Sequence, residues 1–86
     1  MTSVAAPRTV GILIFPDVEI LDFCGPFEVF ASAALPSETD DGTGRRLFNV
    51  FTIAEQPDVV PCRGGLLVQP NYTLADHPPL DLTVIP

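Results

Sequence analysis

A short apolar run near the amino terminus constrains the fold more than any other feature of the chain. Residues 9 to 15, Thr-Val-Gly-Ile-Leu-Ile-Phe, are almost continuously apolar and rich in β-branched side chains. Because this run has no polar face, it predicts a strand that is buried on both sides, as the strands of parallel sheets usually are. We therefore expect an α/β fold that contains a mostly parallel sheet.

The segment that follows has the spacing of an amphipathic helix. Its apolar face is formed by Phe23, Phe27, Phe30, Ala31 and Ala34. Two helix starts fit the sequence. In one, Gly25 caps a helix that begins at Pro26, with Glu28 in the first turn. In the other, the helix begins near Glu19 and bends at Pro26. In both cases Pro36 is expected to end the helix.

The next two segments complete a crossover unit. Residues 37 to 46 are polar and are predicted to form a surface loop, whereas residues 47 to 54 are apolar enough to form a second strand. Strand, helix and strand in this order form a right-handed crossover, so we expect the two strands to be parallel.

The last third of the chain predicts smaller elements. Two short apolar runs, residues 59–62 and 66–69, flank Arg63-Gly64-Gly65, and this pattern predicts a β-hairpin. Thr73 is predicted to cap a short helical turn over residues 74 to 77. Residues 82 to 86 are expected to begin another buried strand.

One main helix is too little cover for a parallel sheet, which needs helices on both faces. We therefore expect residues 9 to 86 to be part of an α/β domain rather than a complete, independently stable one. Residues 1 to 8 are predicted to be a flexible leader.

The charge balance excludes several classes of partner. The chain has four arginines, no lysine and eleven acidic residues, and its net charge is -7. Nucleic acids and anionic membranes both need clustered cations, so neither is an expected partner. No apolar run is long enough to span a bilayer, and the amino terminus does not have the pattern of a secretory signal. A cytoplasmic protein with free thiols is expected.

Asp22 is the candidate catalytic residue. It follows the loop after the first predicted strand, and α/β sheets bind ligands at the carboxyl ends of their strands. Leu21 and Phe23 flank it, so desolvation would favour its protonated form and make it a general acid. The alternative is that Asp22 only caps the helix, because Asp is favoured at helix starts.

The other reactive side chains predict no site. Cys24 and Cys62 are expected to be packing residues, because no base or strained nucleophile turn accompanies them. His77 is expected to lie on the surface. One histidine and two scattered cysteines do not make a metal site, and we expect neither a metal nor a cofactor.

Three stretches of sequence resemble a known family. Residues 11 to 30, Gly-Ile-Leu-Ile-Phe-Pro-Asp-Val-Glu-Ile-Leu-Asp-Phe-Cys-Gly-Pro-Phe-Glu-Val-Phe, are similar to the opening of ThiJ/PfpI proteins, whose fold is that of class I glutamine amidotransferases. Residues 65 to 76 and 79 to 86 also resemble that family. The Leu-Asp-x-x-Gly-Pro-x-Glu-Val-Phe pattern is the most specific part. The nearest branch holds isonitrile hydratases and the sensor domains of AraC-type regulators.

The resemblance implies a fold and a chemistry. The fold would be the amino-terminal half of a flavodoxin-like sheet. Asp22 matches the acid that, in the isonitrile hydratase branch, hydrogen-bonds a nucleophilic cysteine and protonates the reacting centre. The implied reaction is the addition of water to an isonitrile, which gives an N-substituted formamide. Family members are commonly homodimers, and the implied ligand is a small molecule.

The resemblance also implies that the cysteine elbow would follow Pro86. We therefore expect this chain to be inactive alone. Two alternatives stay open: a fragment of the ligand-sensing domain of an AraC-type regulator, and a non-enzymatic protein with the same fold.

Overall fold

The computed structural model describes residues 6–35 and 45–86. A four-stranded sheet organises them, with β1 (Arg8–Leu13) and β4 (Phe48–Ala54) at its centre. The edge strands are β7 (Tyr72–Thr73) beside β4 and β8 (Leu82–Val84) beside β1. All three pairings are parallel, which confirms the predicted α/β class with a mostly parallel sheet. The strand β1 begins one residue earlier than predicted, at the last residue assigned to the leader. Residues 1–5 of that leader lie outside the described residues.

The main helix, α1, spans Ile20–Ser32 and uses the earlier of the two predicted starts. Glu19 is its N-cap residue, and Pro26 lies inside the helix, so the start at Gly25 and Pro26 is wrong. The helix can begin early because Pro26 is in its second turn, where the missing N–H costs a single intrahelical hydrogen bond, to the carbonyl of Asp22. The missing bond leaves that carbonyl without its usual donor.

The helix ends at Ser32, four residues before the proline that was expected to end it. At Ala33 the backbone becomes extended (ψ 119°), and Ala34, predicted on the helix face, lies instead in the short strand β2 (Ala34–Leu35). This strand pairs antiparallel with β3 (Arg45–Arg46). The predicted surface loop is therefore wrong for residues 45 and 46, and its other residues lie outside the described part of the chain.

The main core lies between α1 and one face of the sheet. On this face the side chains of Val10 and Ile12 are fully buried, and Phe23 of the helix is 3% exposed. Phe30 packs edge-on against Phe48 of β4, with ring centroids 4.9 Å apart. Alternate residues of a strand point to one face, so these contacts fix which face the helix covers.

The opposite face of the sheet has a smaller cover. Ile53 is buried on this side, and the rings of Phe51 and Tyr72 pack edge-on. At Gly11 a Cβ atom would lie 2.7 Å from Cδ1 of Ile53 and 2.9 Å from Cδ2 of Leu80. Leu80 therefore reaches the backbone of β1 because residue 11 is glycine.

The edge strand β8 is the predicted strand at residues 82 to 86, but it is not buried. Val10 and Leu82 are partners in the parallel pairing, and Thr9 donates its N–H to Asp81 Oδ2 at 2.8 Å. Leu82 is nevertheless 44% exposed. The expectation of burial is wrong because α1 packs mainly across β1 and β4 and leaves β8 largely uncovered.

The predicted hairpin is present as β5 (Val60–Pro61) and β6 (Leu67–Val68), which pair antiparallel. A 3-10 turn at Arg63–Gly65 joins them, and Gly64 has a φ of 78°, a conformation that favours glycine.

The helical turn predicted after Thr73 is wrong. Thr73 belongs to β7, and its N–H donates to the carbonyl of Asp76 at 3.2 Å. Extension of the sheet by Tyr72 and Thr73 therefore overrides the local capping signal.

Candidate active site

The order of the strands places the candidate site at one edge of the sheet. After β1 the chain crosses to β4 on one side, and it later returns to β8 on the other side of β1. Connections that leave a strand in opposite directions open a crevice beyond the carboxyl ends of the strands, where α/β proteins bind ligands. In this chain the edge where a ligand is expected carries residues 14 to 19, which follow β1, and Ile85 and Pro86, which follow β8.

The loop between β1 and α1 has a defined and unusual backbone. Asp17 has a φ of 68°, in the left-handed region that Asp tolerates better than most residues. Its N–H donates to the carbonyl of Pro61 at 2.8 Å, and Val18, which is 1% exposed, donates to the carbonyl of Phe15 at 3.0 Å. The loop is therefore held from below by the core and from the side by the hairpin.

Arg63 ties the hairpin to the start of α1. Its Nη1 donates to Glu19 Oε1 at 2.8 Å, and its Nε lies 3.5 Å from Asp17 Oδ1. Its backbone N–H donates to the carbonyl of Val18 at 3.0 Å. The hydrogen bond to Glu19 and the charge of Asp17 raise the pKa of Arg63. The side chains are exposed, so these ion pairs fix position more than they add stability.

Asp22 lies in the first turn of α1, just after this loop. Its N–H donates to the carbonyl of Glu19 at 3.1 Å, and its side chain is exposed. The described residues therefore do not bury its carboxyl, in contrast to the expected apolar setting. Asp22 is not the cap residue either, because Glu19 occupies that position. What remains is a carboxylate near the positive end of a helix dipole.

Both cysteines are packing residues in this structure. Cys62 is 4% exposed and belongs to the main core, and Cys24 packs against the same cluster of side chains. Burial, with a smaller effect of the Cys24 thiol, raises the pKa of Cys62. A raised pKa reduces the thiolate fraction, which is the nucleophilic form. Cys62 therefore lacks the environment of a catalytic nucleophile.

The remaining candidates are His77 and any cluster of side chains that could bind a metal ion. His77 lies on the surface, as predicted, with Nδ1 2.8 Å from the carbonyl oxygen of Pro78. Within residues 6–35 and 45–86, no group of three or more His, Cys, Asp or Glu side chains is arranged to hold a metal ion. No helix in those ranges is long and apolar enough to cross a membrane.

Two features of this edge were missed by sequence reasoning. Arg63 was interpreted only as part of a turn, because its partners Asp17 and Glu19 are more than forty positions away and nothing local indicates them. Glu55 and Asp58, which border a cavity beside β4, were not singled out. The signal for these two was available, since they follow the carboxyl end of a predicted buried strand.

Comparison with known proteins supports the fold. No family model and no curated protein matches the chain. Among solved structures it is similar to a ThiJ/PfpI family protein from Pseudomonas syringae, with a TM-score of 0.71 and 21% sequence identity. The match covers 94% of this chain and 29% of that protein. At this identity the likeness shows a shared flavodoxin-like α/β fold. The chain spans less than a third of the neighbour's length.

Proposed function

We propose that this chain is the amino-terminal part of a ThiJ/PfpI-type protein of the isonitrile hydratase branch, in which Asp22 is the acid of the active site. The observation that carries the proposal is the position of Asp22. Its carboxylate lies in the first turn of α1, the helix that follows β1, and makes no hydrogen bond or ion pair with another described side chain. An exposed, uncommitted carboxylate at a ligand-binding edge is available for chemistry.

Asp22 needs a cover to act as an acid. Burial under an apolar cover favours the protonated form of a carboxyl, because desolvation disfavours its charged form. In the proposed protein the polypeptide that carries the nucleophilic cysteine would supply this cover. Asp22 would then hold the thiol and protonate the reacting centre while water is added across the isonitrile carbon, so that an N-substituted formamide is formed.

Exposed apolar side chains support the proposal that residues 9 to 86 are part of a larger domain. Leu82 and Ile85 at the β8 edge are 44% and 72% exposed, and Leu21 and Val29 on the outer side of α1 are 80% and 67% exposed. Contact with further polypeptide would remove these side chains from water, which is favourable. We further propose that the whole protein is a cytoplasmic homodimer that binds a small molecule. This part of it is proposed to contact neither a membrane nor a nucleic acid.

The test uses the full product of the gene, with Asp22→Asn as the variant. Loss of a positioned general acid usually lowers kcat about 10²- to 10⁴-fold. Formamide production from a simple alkyl isonitrile is measured by gas chromatography. Asp76→Asn, which changes an exposed carboxyl elsewhere, is the matched control and should keep wild-type activity.

Three outcomes separate the parts of the proposal. Full activity of Asp22→Asn would show that Asp22 is not the acid. No turnover of isonitriles by the wild-type protein would reject the substrate class but not the fold. Product formation by the 86-residue chain alone would reject the claim that the nucleophile lies outside it.

A further inference from the structure

A cavity of about 220 Å³ lies between the carboxyl ends of β1 and β4. Its floor is apolar and well packed, because Ile14, Ala54 and Val60 are 1%, 2% and 6% exposed. Phe15 and Val59 form half-exposed apolar walls. This cavity is on the β4 side of β1, whereas β8 pairs with the other side of β1. Asp22 is not among the residues that line the cavity.

The rim of the cavity carries charge of one sign. Of the residues that line it, Glu55 and Asp58 are the charged ones, and both are exposed. Arg63 of the adjoining hairpin is paired with Asp17 and Glu19. The amide side chain of Gln56 is the other polar group on the rim.

Other arginines lie far along the strands from the cavity. Arg8 is the first residue of β1, and Arg46 precedes β4, so both are near the amino ends of strands whose carboxyl ends form the cavity. A fully extended strand of six or seven residues is roughly 20 Å long. At physiological salt a charge at that distance is largely screened, so the carboxylates dominate the local potential.

The loop that carries these carboxylates is fixed at several points. Gln69 donates from Nε2 to the carbonyl of Pro57 at 2.7 Å, and Leu74 donates its N–H to the carbonyl of Ala54 at 2.9 Å. On the opposite wall, Asp17 donates to the carbonyl of Pro61 at 2.8 Å. The cavity is thus formed before any ligand arrives, and binding would not have to order the loop.

We propose that this cavity binds a small amphipathic cation, namely an apolar or aromatic body that carries one ammonium group. The apolar floor accepts the body and removes its surface from water, which is favourable. The carboxylates of Glu55 and Asp58 attract the ammonium group at the mouth. The volume is below that of a typical drug-binding pocket, so the ligand is the size of a single ring or a short branched chain. An anion of the same shape is repelled.

The proposal does not rest on the function proposed for Asp22. An isonitrile and a formamide are both neutral, so neither supplies the positive charge that this rim selects. Failure of the hydratase test would leave the cavity and its charge unchanged.

The experiment is a titration of the uniformly ¹⁵N-labelled full product of the gene, followed by two-dimensional NMR, with three probes of one shape. The probes are benzylammonium, benzyl alcohol and benzoate. Benzylammonium is expected to bind with a Kd on the order of millimolar, as suits a ligand of this size. It should shift the amide signals of Ala54, Val59 and Val60. Benzyl alcohol should bind several-fold more weakly, and benzoate should cause no saturable shift.

Two variants test the rim. Glu55→Gln and Asp58→Asn should each weaken benzylammonium binding about two- to fivefold, as expected for partly exposed charge pairs. A higher salt concentration should also weaken benzylammonium binding to the wild type, because salt screens the carboxylates. Neither variant should change the affinity for benzyl alcohol. Glu28→Gln, which removes an exposed carboxyl from α1, is the control and should bind benzylammonium like the wild type.

Each other result overturns the proposal. Equal affinity for benzylammonium and benzyl alcohol would show that the rim charge selects nothing. Saturable shifts confined to another part of the chain would place the ligand elsewhere. Absence of any saturable shift with benzylammonium would show that the cavity does not take this class of ligand.

Discussion

The neighbouring strands β1 and β8 pair with each other but differ in burial. Both are short and mostly apolar, and Val10 and Leu82 are direct partners in the parallel pairing. Yet Val10 is fully buried and Leu82 is 44% exposed. The difference is the cover: α1 packs across β1 and β4 but hardly reaches β8. Hydrogen bonding thus places a strand in a sheet, whereas burial depends on what packs on the face of that strand.

The largest effect should come from truncating the covered strand. Ile12→Ala should lower the stability of β1 by about 2–5 kcal/mol, because it leaves a cavity at a fully buried site. Leu82→Ala is the matched control on the uncovered strand and should cost about 1 kcal/mol or less. Amide hydrogen exchange of β1 measures the loss of stability in each of the two variants. Equal losses would mean that β8 is covered in solution and that the contrast between the strands is wrong.

A second, smaller effect concerns the other face of β1. Gly11→Ala would put a Cβ atom 2.7 Å from Cδ1 of Ile53, so the side chains must move, at a cost of about 1–3 kcal/mol. Gly25→Ala is the control, because a Cβ there meets nothing within 4 Å and alanine favours the helix. Urea denaturation followed by circular dichroism compares the two variants. A neutral Gly11→Ala would show that Leu80 does not pack on β1.

A third test concerns the contact that holds the hairpin over the start of α1. Arg63→Gln should speed exchange of the Asp17 and Arg63 amides about two- to fivefold, because exposed ion pairs contribute at most about 1 kcal/mol. Added salt should shrink the difference between variant and wild type, since salt weakens only the wild-type pairs. The Phe51 amide in β4 is the internal control, and faster exchange there would point to a global rather than a local effect.

The smallest effect is a shift in thiol chemistry within the covered core. The pKa of Cys62 is raised, so a higher pH should be needed to speed its alkylation by iodoacetamide in the folded chain than in urea. Because the pKa of Cys62 is higher in the folded chain, the unfolded chain loses the thiol proton first as the pH rises. The stability that Cys62 contributes is therefore intact below the ordinary thiol pKa of 9.0 and is lost as the pH rises through the folded value. Half-buried Cys24 should react faster than Cys62. The reverse order would contradict the burial of Cys62.

Local pattern was enough to predict much of the fold. The apolar run at residues 9 to 15 indicated β1, and the glycines after Arg63 indicated the hairpin. Local signals failed where another part of the chain decided the outcome. Thr73 has the sequence of a helix cap, but pairing with Ala54 across β4 and β7 places it in the sheet.

For the candidate site, sequence indicated the position but not the environment. Asp22 was predicted to follow the first strand and does so. Its flanking residues Leu21 and Phe23 suggested an apolar setting, yet they point in different directions from a helix: Phe23 is 3% exposed and Leu21 is 80% exposed. Adjacent residues on a helix are about 100° apart, so flanking apolar residues do not enclose the one between them.

The pairing of β1 with β8 has a consequence for the order of folding. The hydrogen bond from Thr9 to Asp81 joins residues 72 positions apart, whereas the described elements between β1 and β4 are α1 and the short strands β2 and β3. Closing a longer loop costs more entropy, and such long-range pairing is slow. We expect the crossover of β1, α1 and β4 to form first and β8 to dock last, which pulse-labelled hydrogen exchange would show as late protection of the Thr83 and Val84 amides. During synthesis one edge of β1 would then stay unpaired until residues 82 to 84 have emerged from the ribosome.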